Sequence, residues 1–117
     1  MAYKQVLRPI EVEAVDYTAL NAALGNFIEI NTAGLPRPLS ILRIVNTMDV
    51  EVYISYGGGI NHDIISPDSW LEIAYTGGDH TYSNKATIAA GTIIAASVER
   101  NAARGIVAVC GYYQGVN

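Results

Sequence analysis

The chain has 117 residues, half of them apolar and only 15% charged, and its formal net charge is −4. The charged fraction is well below the roughly 25% that is usual for soluble domains. Part of the surface is therefore covered either by uncharged polar residues or by other subunits. The seven basic residues are scattered along the chain, which argues against a nucleic-acid-binding protein, because such proteins need a clustered basic surface.

Targeting and redox features are sparse. The first residues, MAYKQVLRPIEVEAVDY, carry polar or charged residues every few positions, so we expect no signal peptide. No apolar run approaches the ~20 residues that span a bilayer, which argues against membrane insertion. The single cysteine, Cys110, excludes an internal disulfide, and its apolar surroundings favour a small buried hydrophobe over a reactive thiol. Without repeats or linkers, residues 1–117 are predicted to form one domain.

The N-terminal part predicts a strand that Pro9 interrupts, with one piece over Lys4–Leu7 and another over Ile10–Val15. Proline cannot donate to a sheet ladder, so it belongs at an edge or a bend. Three alternating apolar residues are expected to point to one face: Ile10, Val12 and Ala14. Alternatively, residues 1–9 form an extended N-terminal arm.

The next stretch, Asp16–Asn26, predicts a loop or a short helix, with Asp16 or Thr18 as its N-cap. Its alanines and leucines favour a helix, but it is short for an independent one. Residues 27–30 then predict a short strand, which the segment Thr32–Pro38 ends with a glycine and two prolines.

The strongest pattern is Ser40–Tyr56, SILRIVNTMDVEVYISY, which alternates apolar and polar residues in both halves. A period of two is expected when one face of a sheet is buried. Asn46 and Asp49 supply turn chemistry between the two halves. The pattern predicts a β-hairpin around which the rest of the chain is organised.

The following stretch alternates turns with short strands. We expect a loop over Gly57–Asp63, a brief apolar pair at Ile64 and Ile65, a turn over Ser66–Ser69 and a strand over Trp70–Tyr75. A turn over residues 76–79 and a weakly patterned segment, residues 80–88, follow.

The last part of the chain predicts two more strands. Alternating β-branched residues favour a strand over Thr92–Arg100, despite its alanines. A turn over Asn101–Gly105 leads to Ile106–Tyr113, whose nearly continuous apolarity predicts a central strand. In total, about seven or eight short strands predict an all-β fold, an antiparallel, jelly-roll-like β-sandwich.

Chemistry-bearing motifs are weak. His62–Asp63 and Asp79–His80 are the only histidine–carboxylate neighbours, and metal-ligand spacing such as His-x-His is missing. The triple glycine Gly57–Gly59 lacks the lysine and the following helix of a phosphate-binding loop. No nucleophile motif is present either. The sequence therefore predicts no enzyme activity, no catalytic residues, no metal and no cofactor.

Eight tyrosines, Trp70 and Phe27 leave three alternatives open. Tyrosine and tryptophan combine an apolar face with a hydrogen-bonding tip, which suits sugar stacking and protein–protein interfaces. They also serve as ordinary core or rim packing, which we expect for Tyr56, Trp70 and one of the final tyrosines.

The run ILRIVNTMDVEVYISYGGGINHDIISPDSWLEI, followed by AAGTIIAASV and a final IVAVCGYY, resembles small virion structural proteins of tailed bacteriophages. In these proteins a strand ending in asparagine leads through a polar turn to a strand of the type VxVxIS, then to a Gly/Asp loop. A turn like Pro67-Asp68-Ser69 begins the next strand. The resemblance covers Phe27–Tyr113, and the Ala-rich residues 18–24 and the triple glycine depart from it.

This resemblance implies a non-enzymatic subunit, made in a bacterial cytoplasm and present in many copies on a virion, at the tail, head–tail connector or capsid surface. Its partners would be copies of itself and other virion proteins of the capsid, portal or connector, or tail. The alternative is a carbohydrate-binding or host-adsorption module that uses Trp70 and tyrosines as stacking platforms.

Loop tips at sandwich ends and unpacked termini are the elements expected to reach neighbours. We therefore predict contacts through residues 2–8 and through the loops 57–63 and 76–80. The expected interface residues are Tyr3, Lys4, Arg8, Gly58, Asn61, His62, Asp63, Gly78, Asp79 and His80.

Overall fold

The structure, a computed structural model, describes residues 5–74 and 87–116, which form nine strands and one short helix. In chain order they are β1 (Gln5–Pro9), β2 (Glu13–Asp16), α1 (Tyr17–Ala22), β3 (Ile28–Glu29), β4 (Ile41–Asn46), β5 (Val52–Ser55), β6 (Asp63–Ile65), β7 (Ser69–Ala74), β8 (Ala95–Ser97) and β9 (Ile106–Val116). The predicted all-β class is confirmed, with more strands than expected because the apolar pair at Ile64 and Ile65 belongs to a strand of its own. No helix within these two ranges is long and apolar enough to cross a membrane.

Two antiparallel sheets pack face to face. Sheet A has the order β1-β9-β4-β7, with β2 also pairing with β9, and sheet B has the order β3-β8-β5-β6. Strand β9 is central, as predicted, because it pairs with β1 and β2 on one side and with β4 on the other. The inner faces of both sheets bury one apolar core: Leu20, Ile30, Leu35, Leu39, Leu42, Ile44, Met48, Val50, Val52, Ile54, Ile65, Ile94, Ala96, Val98, Ala102, Val107 and Val109.

The hairpin predicted over Ser40–Tyr56 is wrong, although both of its strands exist. Strand β4 pairs with β7 and β9 in sheet A, whereas β5 pairs with β6 and β8 in sheet B. The segment between them carries Met48 and Val50, and both side chains are buried. A connection with two core residues crosses from one sheet to the other and cannot be a polar surface turn.

Asn46, expected to form a surface turn, is a fully buried anchor. Its Nδ2 donates to the carbonyl oxygens of Val50, Ile65 and Ser66, at 3.0, 3.3 and 3.1 Å. Its Oδ1 accepts from the backbone N–H of Met48 at 2.9 Å. One side chain therefore joins two of the connections that cross between the sheets, β4 to β5 and β6 to β7.

The N-terminal stretch departs from the predicted alternation. Pro9 pairs with Tyr112, and Glu13 pairs with Val109. Three residues, 10–12, lie between these pairs on the N-terminal side but only two, 110 and 111, on β9, so the N-terminal side carries one extra residue. Such a bulge reverses the facing of the side chains that follow it. Consequently Ile10 packs against the core while Val12 is exposed. Residues 5–9 pair with β9 along their whole length, so this stretch is a strand and not a free arm.

The short helix forms as the sequence allows, and Asp16 is its N-cap. The Asp16 carboxylate accepts from the Thr18 N–H at 3.3 Å, and Leu20 buries the inner side of the helix in the core. The Asn21 side chain exchanges two hydrogen bonds of 2.8 Å with the backbone of Ala102. These bonds fix α1 to the segment that precedes β9.

The antiparallel topology sorts the connections into two ends of the sandwich. The arch end comprises residues 17–27, 47–51, 66–68 and 98–105, which hydrogen-bond to one another. The loop end comprises residues 30–40, 56–62 and 87–94, with Asn31 hydrogen-bonded to Thr92 and Ile94. The predicted contact loop 57–63 therefore belongs to the loop end.

Candidate assembly surfaces

The loop between β5 and β6 is organised by three side chains at its ends. The Tyr56 hydroxyl donates to Asp63 Oδ2 at 2.7 Å, and the Tyr56 N–H donates to His62 Nδ1 at 3.0 Å. The rings of Tyr56 and His62 also stack, with centroids 5.6 Å apart and planes inclined by 29°. Tyr56 thus links the two residues of the His62–Asp63 pair and closes the base of the loop.

The contacts of Tyr56 with His62 and Asp63 hold the two ends of the loop together. Burial of the phenol raises the pKa of Tyr56 above its usual range, and the hydrogen bond to the Asp63 carboxylate raises it further. The hydroxyl consequently keeps its proton and remains the donor to Asp63. Within residues 5–74 and 87–116, no three His, Cys, Asp or Glu side chains lie close enough together to hold a metal ion.

The triple glycine shapes the loop through its backbone. Gly58 and Gly59 have φ values of 72° and 66°, in the left-handed region where other residues are strained. A Cβ placed on Gly59 would meet nothing within 4 Å, so space is not what requires glycine there.

Two shallow grooves border this loop. One, of about 330 Å³, lies between the glycines and sheet B and is lined by Phe27, Glu29, Ser55, Gly57, Gly58, Gly59, Ile93 and Ala95. The other, of about 320 Å³, is lined by Tyr53, Asn61, His62, Asp63 and Ile64.

The structure brings together only some of the predicted interface residues. Asn61, His62 and Asp63 share one groove, whereas Gly58 lines the other. Arg8 lies on β1 in sheet A, opposite Tyr113, and its side chain covers Gly115. The remaining predicted residues lie outside the described residues: Tyr3, Lys4, Gly78, Asp79 and His80.

A larger feature is the outer face of sheet A, defined by the side chains that alternate with the core residues. On β7 these are Trp70, Glu72 and Ala74; on β4 they are Val45, Arg43 and Ile41; on β9 they are Ala108, Cys110 and Tyr112. Trp70 is 63% exposed, so it is not core packing, and Cys110 is only half-buried. Of the core or rim packing expected for Trp70, a core position is therefore wrong, and Cys110 is less buried than expected.

The charges on this face lie at its centre. Arg43 on β4 is directly opposite Glu72 on β7, and its Nη2 and Nε donate to Glu72 Oε1 at 2.7 and 3.1 Å. The bond to Glu72 raises the pKa of Arg43, although both side chains remain partly exposed. Above and below this pair, β4, β7 and β9 present apolar side chains.

Sequence reasoning missed this face, although one signal could have revealed it. In β4, ILRIVN, the outward positions Ile41 and Val45 are as apolar as the inward ones, Leu42 and Ile44. A strand that is apolar on both faces is typical of a sheet covered on both sides. Reading the stretch as half of a hairpin concealed that signal.

A scan against protein-family models, a search of curated proteins and a search of solved structures each found no match.

Proposed function

We propose that this chain is a non-enzymatic structural subunit of a bacteriophage virion, assembling in multiple copies at the tail, the head–tail connector or the capsid surface. The observation that carries the proposal is the outer face of sheet A, where Trp70, Val45, Ile41 and Tyr112 surround a single ion pair. A large aromatic side chain left uncovered beside other apolar side chains on one sheet face supports contact with another protein surface.

The topology supports the proposal. Apart from β1 to β2 and β5 to β6, each connection between consecutive strands joins one sheet to the other. From the orders β2-β9-β4-β7 and β3-β8-β5-β6 we infer a jelly roll, the sandwich type found in viral capsid and lectin domains. The resemblance of residues 27–113 to small virion proteins points to the same class.

The fold would act by holding its contact surfaces in fixed positions. The cross-linked arch end fixes how the two sheets sit on each other, so the outer face and the loop tips keep their positions from copy to copy. Repetition around a symmetric particle makes modest contacts collectively stable.

Purified particles test the proposal. Particles from a phage lysate whose genome carries this coding sequence, separated on a density gradient, should contain the chain in fixed proportion to the other virion proteins by quantitative mass spectrometry. Detection of the chain only in the fraction that does not sediment with particles would contradict the proposal.

A carbohydrate-binding or host-adsorption module is the second candidate, favoured by the exposure of Trp70 on a sheet face. Trp70 pairs with Val45 and Tyr112 pairs with Ile41, so the two rings lie on either side of β4 and four residues apart along it, and they form no common platform. Saturable binding on a glycan array that Trp70→Ala abolishes would favour this candidate over the virion subunit.

A further inference from the structure

We propose that the outer face of sheet A is the surface through which two copies of this chain pack against each other. The inference rests on the proposed structural function and deepens it by naming the contact surface and its partner. Two observations carry it: the apolar character of the face and the arrangement of its charges.

The first observation is the apolar content. Trp70 lies beside Val45, and Ala108 follows on β9, so one row across the sheet carries no polar side chain on these strands. Ile41 and Tyr112 continue the apolar surface beyond the ion pair. The hot spots of protein interfaces, the residues that contribute most of the binding energy, are enriched in tryptophan and tyrosine and are surrounded by weaker contacts.

The charge arrangement identifies a second copy as the partner. In a two-fold dimer the same patch meets itself, so a lone charge would face its own sign. Here Arg43 and Glu72 are neighbours at the centre of the face and neutralise each other. With the two-fold axis between β4 and β7, each Arg43 lies against the partner's Glu72, and the four charges alternate in sign. The face is thus electrostatically complementary to itself.

The lengths of the strands favour sheet A over sheet B. With the axis between β4 and β7, β4 of one copy lies across from β7 of the other, and each of these strands has six residues. Sheet B offers less, because β3, β6 and β8 have only two or three residues each.

Native mass measured by sedimentation equilibrium across a concentration series tests the proposal. The wild-type chain should form a dimer, and Trp70→Ala should raise its dissociation constant at least about 30-fold, the effect of a strong interface residue. Ile64→Ala is the matched control. Ile64 is 57% exposed and lies opposite Tyr53 on the outer face of sheet B, so dimerisation should be unchanged.

A charge-reversal pair separates contact between copies from effects within one chain. R43E alone places two carboxylates on each face, and E72R alone places two guanidinium groups there, so each variant should remain monomeric. A mixture of the two variants should form a heterodimer, because the faces then carry opposite charge. Circular dichroism of each variant checks that the fold is retained.

The half-buried thiol of Cys110 gives an independent readout, because it lies beside Arg43 on the same face. Labelling by a thiol reagent should slow as the concentration of wild-type protein rises and should not slow for Trp70→Ala. A wild-type chain that is monomeric at every concentration would overturn the proposal. Unchanged dimerisation of Trp70→Ala, or a mixture of R43E and E72R that stays monomeric, would overturn it as well.

Particle incorporation distinguishes this failure from failure of the proposed function. If Trp70→Ala enters particles at the wild-type copy number and the wild-type protein is a monomer in solution, the dimer surface is wrong and the virion role stands. If the wild-type chain dimerises but is missing from purified particles, the virion role is wrong and the dimer surface stands.

Discussion

The arch end and the loop 56–62 hold their connections in different ways. At the arch end the connections bond to one another: Asp49 accepts from the Ala103 N–H, and Arg104 donates to Asp68 and to the Thr47 carbonyl. At the loop end, the hydrogen bonds described for residues 56–62 all involve residues 54–63. The arch end is therefore a network, and the loop 56–62 is a self-contained unit.

This difference predicts which region determines the free energy of unfolding and which region tolerates substitution. Loss of the Asn46 side chain, which bonds to the connections 47–51 and 66–68, leaves backbone partners unpaired on both, which has a large cost. A change in the loop affects only the loop and the ends of β5 and β6. We expect the arch end to set the free energy of unfolding and the loop 56–62 to tolerate substitution.

The largest expected effect is that of Asn46→Ala. The substitution leaves the Val50, Ile65 and Ser66 carbonyls and the Met48 N–H without their partner inside the core. At 1–3 kcal/mol for each unsatisfied group, and with partial relaxation, the free energy of unfolding should fall by about 3–5 kcal/mol in urea denaturation.

Alanine substitutions of two other asparagines serve as comparisons for Asn46→Ala. Asn31 is equally buried at the loop end but makes only two such bonds, so Asn31→Ala should cost about 2 kcal/mol. Asn26 is exposed, and Asn26→Ala should stay within about 0.5 kcal/mol of wild type. Equal losses for Asn46→Ala and Asn31→Ala would contradict a cost that follows the number of unsatisfied groups.

A pair of glycines sharpens the comparison. Gly105, at the arch end, has φ of 102°, and a Cβ there would lie 2.5 Å from the Thr47 carbonyl oxygen and 2.6 Å from the Met48 nitrogen. Gly105→Ala should therefore lower the free energy of unfolding by about 2–4 kcal/mol, from strain and steric overlap together. Gly59→Ala adds only the backbone strain, about 1 kcal/mol, because its surroundings are open. Thermal unfolding of both variants checks this, and similar melting temperatures would contradict it.

The sequence predicts the strands better than it predicts their partners. Period-two alternation located β4, β5 and β7 because it depends only on which face is buried, and continuous apolarity located β9. It cannot tell a hairpin from a crossing between sheets, since Asn46 and Asp49 fit a surface turn as well as a buried anchor. Burial of Met48 in the connection was the available clue. The exposed Trp70 was missed for a similar reason: exposure depends on what lies across the sheet, and the sequence gives no register.

A smaller effect is expected at the loop end from Tyr56→Phe. The variant keeps the ring that stacks on His62 and loses only the hydroxyl that donates to Asp63. Because this bond is partly buried at the base of one loop, its loss should lower the free energy of unfolding by about 1 kcal/mol. Hydrogen exchange should become faster at residues 56–62 and remain unchanged at residues 98–105. Faster exchange at both ends would show that the loop is coupled to the arch network.

The smallest effect concerns the exposed acidic residues of the arch end. The hydrogen bond from Arg104 lowers the pKa of Asp68, and the bond from the Ala103 N–H lowers the pKa of Asp49. Lowered pKa values in the folded state mean that both carboxylates stabilise the fold above the unfolded value of about 3.9, and that this contribution is lost as the pH falls through the folded pKa values.

Asp68→Asn isolates the charge, since Asp68 has φ of 52° and asparagine tolerates that conformation. Wild type should be slightly more stable than Asp68→Asn at neutral pH, the difference should vanish in acid, and high salt should reduce it because the pair is exposed. A difference that persists at the lowest pH would mean that the backbone of the 66–68 crossing, rather than its charge, supplies the stability of this corner.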